Sequence, residues 1–240
     1  MGFQKEDLDL ILVPCGLIIM FAYHLYLLYR YLDQPHTTVI GYENNDRRAW
    51  VQKIMQVDKK DVGMALAVIS SNTSAATFLS SVSLTLSSII GAWLGSSYDN
   101  VFKSNLIYGD TSATTMSIKF ICLLTCFLIA FFCFVQSARC FVHANFLIST
   151  PDSNIPHKSV ELSVIKGSDY WSVGLRALYF AIVLLLWFFG PIPMFVTSLL
   201  MVTLLYYLDT NSTPLHKHES LNGGGSIKTA ERRSPAPSVQ

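Results

Sequence analysis

The chain has 240 residues, enough for one or two soluble domains, yet only 14% of them are charged, against about 25% in an ordinary globular protein. All 33 charged side chains avoid four long stretches, residues 10–29, 62–98, 120–138 and 177–208. A run of roughly 18 or more uncharged, mostly apolar residues reads as a helix crossing ~30 Å of hydrocarbon, so a soluble, collagen-like, disulfide-stapled or wholly disordered chain is excluded. The expectation is an all-α, multi-pass transmembrane bundle, residues 1–208, followed by a polar tail, residues 209–240. The net charge of +1 offers no global attraction to nucleic acid, so electrostatic effects must come from local asymmetry.

The N-terminal Met-Gly-Phe-Gln-Lys-Glu-Asp is acidic where a cleavable leader begins basic, and Glu6 stands where a myristoylation motif requires Ser or Thr. The first crossing, about residues 8–32, is therefore expected to be retained. Its end is rich in Tyr and Arg, which suits the headgroup level. A basic loop follows over residues 33–61. Within it, Asn45 or Asp46 is the expected N-cap of a helix carrying Trp50, Ile54 and Val57 on one face, either lying on the membrane surface or packed on neighbouring loops.

The second zone, residues 62–98, holds twelve Ser, Thr or Asn between Ser70 and Ser88. That density suits interhelical packing more than a lipid-facing surface, so this helix is expected to start in water and to be surrounded by protein. Ser80, Ser83 and Ser87 mark either a packing face or a polar path, and the two look alike in sequence. Gly91 and Gly95 mark the far end, and residues 99–119 read as a polar loop with a turn at Gly109-Asp110. The third zone, residues 120–138, is followed by a second basic loop over residues 139–172.

The fourth zone is too long for one crossing, since 32 residues make a helix of about 48 Å, and Gly190-Pro191-Ile192-Pro193 interrupts it. Pro stops or kinks a helix, and Gly followed by Pro suits the end of one and the start of the next. With a reversal there, five crossings leave 14 Lys and Arg on one side and three on the other; a single kinked crossing splits them 10 to 7. The positive-inside bias favours five over four and places the N-terminus outside.

Candidate functional residues are few. His24 is the one His, Asp, Glu, Lys or Arg within the four zones, and such a group at membrane depth is a functional candidate; the alternative is an imidazole bonded to a serine of the second helix. Arg47, Arg48, Arg139, His143 and Arg176 are expected to meet at the cytosolic ends, where they would hold an anionic lipid headgroup or anchor the helices. Cys122, Cys126, Cys133 and Cys140 recur at spacings of four, seven and seven, on one helical face. The helix rise spreads them over about 27 Å, which excludes a shared metal and favours core packing. Cys140, near the inner surface, is a candidate acylation site, and Ser234, after Arg232-Arg233 in the tail, a candidate phosphorylation site. No metalloprotease, nucleophile-elbow or Cys-pair motif is present, so neither an enzyme nor a cofactor is expected.

The pattern resembles a known family. The residues that carry it are Leu10-Ile11-Leu12-Val13-Pro14 with Tyr23-His24, Gln34-Pro35 with Arg47-Arg48-Ala49-Trp50-Val51, and Asp58-Lys59-Lys60. With them go Gln136-Ser137-Ala138-Arg139, Asn145-Phe146-Leu147-Ile148, Gly174-Leu175-Arg176-Ala177 and Phe189-Gly190-Pro191-Ile192-Pro193-Met194. In this order they resemble the plant branch of the membrane-protein family called Domain of Unknown Function 599. The resemblance implies a multi-pass membrane protein without an established activity. Two functions are expected from different classes: a membrane-embedded scaffold that binds lipids or partners, the tail recruiting a cytosolic protein, and an oligomeric channel or carrier for an ion or small solute. The secretory-pathway membranes, the plasma membrane by default, are the expected location.

Overall fold

The computed structural model describes residues 7–56, 62–95, 112–150 and 156–212. Within them run six α-helices: α1 (Asp7–Asp33), α2 (Val39–Ile54), α3 (Val62–Gly95), α4 (Ala113–Ser149), α5 (His157–Trp187) and α6 (Pro191–Asp209). All but α2 are long and apolar enough to cross a membrane, so the protein is a multi-pass helical bundle with five candidate crossings. The chain reverses at Gly190, whose φ of 124° is a left-handed conformation that favours glycine. Pro191 then occupies the first turn of α6, where its missing N–H costs nothing.

Pairings along the helices set their directions. Asp9 meets Trp187, Gly16 lies against Ser198, and Tyr23 meets Asp209, so α1 runs parallel to α6. Phe134 and Phe141 of α4 press on Gly174 and Gly167 of α5, an antiparallel pair in which two glycines make room for two aromatic rings. Ser137 Oγ donates to Gly167 O across the same seam at 2.7 Å. Helices α4 and α5 are the centre; α3 packs on α4, and α6 and then α1 follow on the other side of α5.

Two main apolar cores result. One joins α1, α4, α5 and α6 through Met20, Phe120, Leu123, Trp187, Phe188 and Met194. The other lies at the end of the bundle that carries α2, where Val51 meets Ala65, Ile69, Phe141, Ala144, Ile148, Val160 and Val164. Here α4 continues about 16 Å beyond its uncharged zone, and α5 begins well before its own. The region expected as a second basic loop, residues 139–172, is therefore helical through Ser149 and again from His157. Charges do not stop a helix, and the apolar side chains at three- and four-residue spacing bury against α2 and α3.

Three further expectations change. The helix in the first basic segment starts at Val39, where Thr38 Oγ1 accepts from Gly41 N at 3.2 Å; Asn45 and Asp46 fall inside it. Of its two alternatives, packing on protein is realised, with Ala49 and Val51 buried and α5 as its main neighbour. Instead of being surrounded by protein, α3 is an edge helix: Phe78, Leu84 and Ile89 are exposed. The polar loop before α4 ends by Ser112, whose Oγ accepts from Thr115 N, because the hydroxyl cap and the apolar positions behind it outweigh the charge of Lys119.

At the carboxyl end, residues 209–212 belong to the fold. Asn211 N donates to Thr37 O at 3.0 Å, beside a bridge between Thr38 and Thr210. The rest of the expected tail, Ser234 included, lies outside the described residues, as does the turn at Gly109-Asp110.

Candidate functional site

Polar side chains concentrate at the α2 end of the bundle, in the order in which the helices deliver them. Arg176, two turns into the apolar stretch of α5 from Asp169, reaches Asp209 in the last turn of α6. Its two terminal nitrogens donate to the two carboxylate oxygens at 2.6 and 2.7 Å, the two-pronged geometry that guanidinium and carboxylate share. Tyr23 of α1 donates its hydroxyl to the same carboxylate at 2.7 Å. Three helices are thus joined at one buried point, with the Arg176 and Asp209 side chains only 15% and 12% exposed.

One turn and more towards α2, Asp169 Oδ1 accepts from Tyr31 Oη at 3.2 Å and from Asn44 Nδ2 at 3.0 Å. Asn44 also donates to Tyr31, and Arg47 donates to Asn44 Oδ1. This second network ties α1, α2 and α5 together. Its members were invisible as a set in the sequence, since Asp169 lies more than a hundred residues from Tyr31 and Asn44; Asn44 alone gives a signal, a polar side chain in the buried row with Gly41 and Val51.

The five basic candidates do not form one cluster. Arg176 is taken by Asp209, Arg47 pairs with Glu43 at 3.0 Å, and Arg48 with Glu161 at 3.3 Å. Only Arg139 and His143 stay together. With Lys166 and Cys140 they line a groove of about 800 Å³ between α4 and α5. Arg139 donates to the neutral Gln136 Oε1 at 3.4 Å, and no carboxylate is among the described residues lining the groove. Its apolar side is formed by Val142, Phe146 and Leu162, each more than half exposed. A site that presents cations beside uncovered apolar surface suits a ligand with an anionic head and a hydrocarbon body.

The other sequence candidates are placed as follows. His24 Nδ1 lies 2.7 Å from Met20 O, not against a serine of α3, and its ring packs on Phe180. Ser80, Ser83 and Ser87 are buried towards α4, and each hydroxyl donates to a carbonyl of its own helix: those of Thr77, Leu79 and Ser83. Cys133 is buried and Cys122, Cys126 and Cys140 half-buried. Among the described residues no group of three His, Cys, Asp or Glu side chains is arranged to hold a metal.

At the opposite end, Trp187 Nε1 donates to Asp9 Oδ1 at 2.8 Å in a buried contact. Lys119 is 1% exposed, and its ammonium sits 5.2 Å from the centre of the Trp187 ring, within the range of a cation–π attraction. Neither Asp9 nor Lys119 stood out in the sequence, because both lie just outside the uncharged zones and read as solvated flanks.

No curated protein and no solved structure matches the chain. The model of a family described as "Protein of unknown function, DUF599" matches residues 11–214, a span that holds all five candidate crossings except the start of α1 and both polar networks at the α2 end. The chain is a member of this DUF599 family.

Proposed function

We propose that the protein is a membrane-embedded scaffold that binds an anionic lipid headgroup in the groove between α4 and α5, with no catalytic step of its own. One observation carries this reading: Arg139, His143 and Lys166 line the groove with no described carboxylate among them, beside exposed Val142, Phe146 and Leu162. Elsewhere at this end Arg47, Arg48 and Arg176 are paired with acids and Arg30 is turned to Thr37, so the groove is where clustered positive charge remains for a ligand. The excess of Lys and Arg assigns the α2 end to the cytosol, where anionic lipids concentrate. The segment after residue 212 is assigned the recruitment of a cytosolic partner, regulated at Ser234. A plasma-membrane location and the plant branch of the family complete the reading.

The channel alternative rests on the hydroxyls of α3. Bonding of Ser80, Ser83 and Ser87 to carbonyls of their own helix favours a packing face over a wet path. Each basic side chain near an anionic surface contributes about 1 kcal/mol. Arg139→Ala with Lys166→Ala should therefore cost about 2 kcal/mol, roughly 30-fold, in binding of phosphatidylserine or a phosphoinositide to the protein in nanodiscs. Unchanged binding would remove the groove from the reading. Ion flux in liposomes, lost in Ser80→Leu or Ser87→Leu with the protein still correctly inserted, would replace the scaffold by the channel.

A further inference from the structure

A second cavity, distinct from the lipid groove, lies between α1 and α5 above the start of α2. Its volume is about 410 Å³, and its walls include His24, Ile40, Asp169, Ser172, Val173 and Arg176. That volume is within the range of small-molecule sites, about 300–1,000 Å³, which are mostly apolar with a few convergent polar groups.

The polar groups present acceptors. A carbonyl oxygen only accepts, so the contact of His24 Nδ1 with Met20 O puts the proton on Nδ1 and leaves Nε2 of the neutral ring as an acceptor. That Nε2 is buried without a hydrogen-bond partner, a costly state for a polar atom. Ser172 Oγ gives its proton to Ser168 O and likewise offers a lone pair.

The charges converge on the same answer. Around the cavity Arg176 is neutralised by Asp209, Arg47 by Glu43 and Arg48 by Glu161, and Arg30 is turned to the hydroxyl and carbonyl of Thr37. Asp169 is held by neutral donors, Tyr31 and Asn44, so its negative charge is hydrogen-bonded but not balanced by either. The wall thus holds the Asp169 carboxylate, lone pairs of His24 and Ser172, and the Arg176 guanidinium, whose charge Asp209 already answers; the charge left over is negative, which repels an anion and calls for a donor carrying positive charge. We propose that this cavity binds a small amphipathic organic amine, its ammonium on the Asp169 carboxylate and its body against Ile40 and Val173.

The test uses the full chain in phosphatidylcholine nanodiscs, whose surface has no net charge, titrated with three probes of similar shape: phenethylamine, 2-phenylethanol and 3-phenylpropionate. The amine should bind at least tenfold more tightly than the alcohol, and the acid not measurably. Asp169→Asn keeps an oxygen for Tyr31 and Asn44 to bond, and should erase the preference for the amine. Val173→Trp, at a position 52% exposed, should fill the cavity and abolish binding without lowering the melting temperature. Equal affinity for amine and alcohol, tighter binding of the acid, no binding above that of empty nanodiscs, or amine binding untouched by Val173→Trp would each overturn the proposal.

Discussion

Removing the Asp209 carboxylate isolates the energetics of the buried ion pair. In Asp209→Asn the Arg176 guanidinium keeps its place, 15% exposed, but loses the opposing charge and one of its two bonds, at 2.6 and 2.7 Å, because the amide keeps a single accepting oxygen and turns a donor towards the cation. Breaking one partner of a buried pair costs about 3–5 kcal/mol. The lower end applies here, because the long stem of Arg176 can carry its head towards the nearby interface. The reciprocal Arg176→Leu leaves a carboxylate that still accepts from Tyr23 at 2.7 Å, so a smaller loss of about 2 kcal/mol is expected, one charged hydrogen bond's worth. The double variant, with no charge left unpaired, should lose less than the sum of the two, with a coupling of at least about 1 kcal/mol. Unfolding of the purified protein by denaturant in mixed micelles, followed by tryptophan fluorescence, supplies the four free energies. A loss below about 1 kcal/mol in Asp209→Asn, or additive single losses, would refute the idea that this pair staples α6 to α5.

The α4–α5 seam should be intolerant of bulk. A Cβ at position 174 would sit 2.9 Å from the Phe134 ring, so Gly174→Val should cost about 1–3 kcal/mol through overpacking, and Phe134→Leu in the same chain should recover part of it in the same unfolding measurement. On α3, Ser83 is fully buried and its hydroxyl is satisfied within the helix. Ser83→Ala should then change stability by less than about 1 kcal/mol, whereas Ser83→Leu should destabilise by about 1–3 kcal/mol; equal effects of the two would contradict the packing seen against α4.

How much of this architecture was legible beforehand depends on whether the signal is local. Uncharged runs are a local property with a single physical consequence, partition into hydrocarbon, and they located four apolar zones; the reversal at Gly190 within the fourth was read from its Gly-Pro tetrad and the placement of Lys and Arg. The ends of the helices were less legible. At Lys119 and from Arg139 onward, charge was read as loop, yet those residues continue α4, because helix capping and apolar periodicity outweigh the cost of a charged side chain that can reach a ring or the interface.

Pairing was not legible at all. Arg176 was grouped with Arg47 and Arg48 on the strength of a shared side of the membrane, and Asp209 was assigned to the tail. Whether a cation is free or neutralised depends on which helix lies within a few ångströms, and that is decided by how glycines and aromatic rings let α4, α5 and α6 approach. The amino-acid order alone therefore determined that the protein has long apolar helices suited to a membrane, and where positive charge accumulates, since each follows from the properties of contiguous residues; it left four crossings and five as alternatives. Only the packed bundle decided which acid answers which base, and so left Arg139 and Lys166 in one groove and Asp169 in a separate cavity, because electrostatic compensation is set by distance through space and not along the chain.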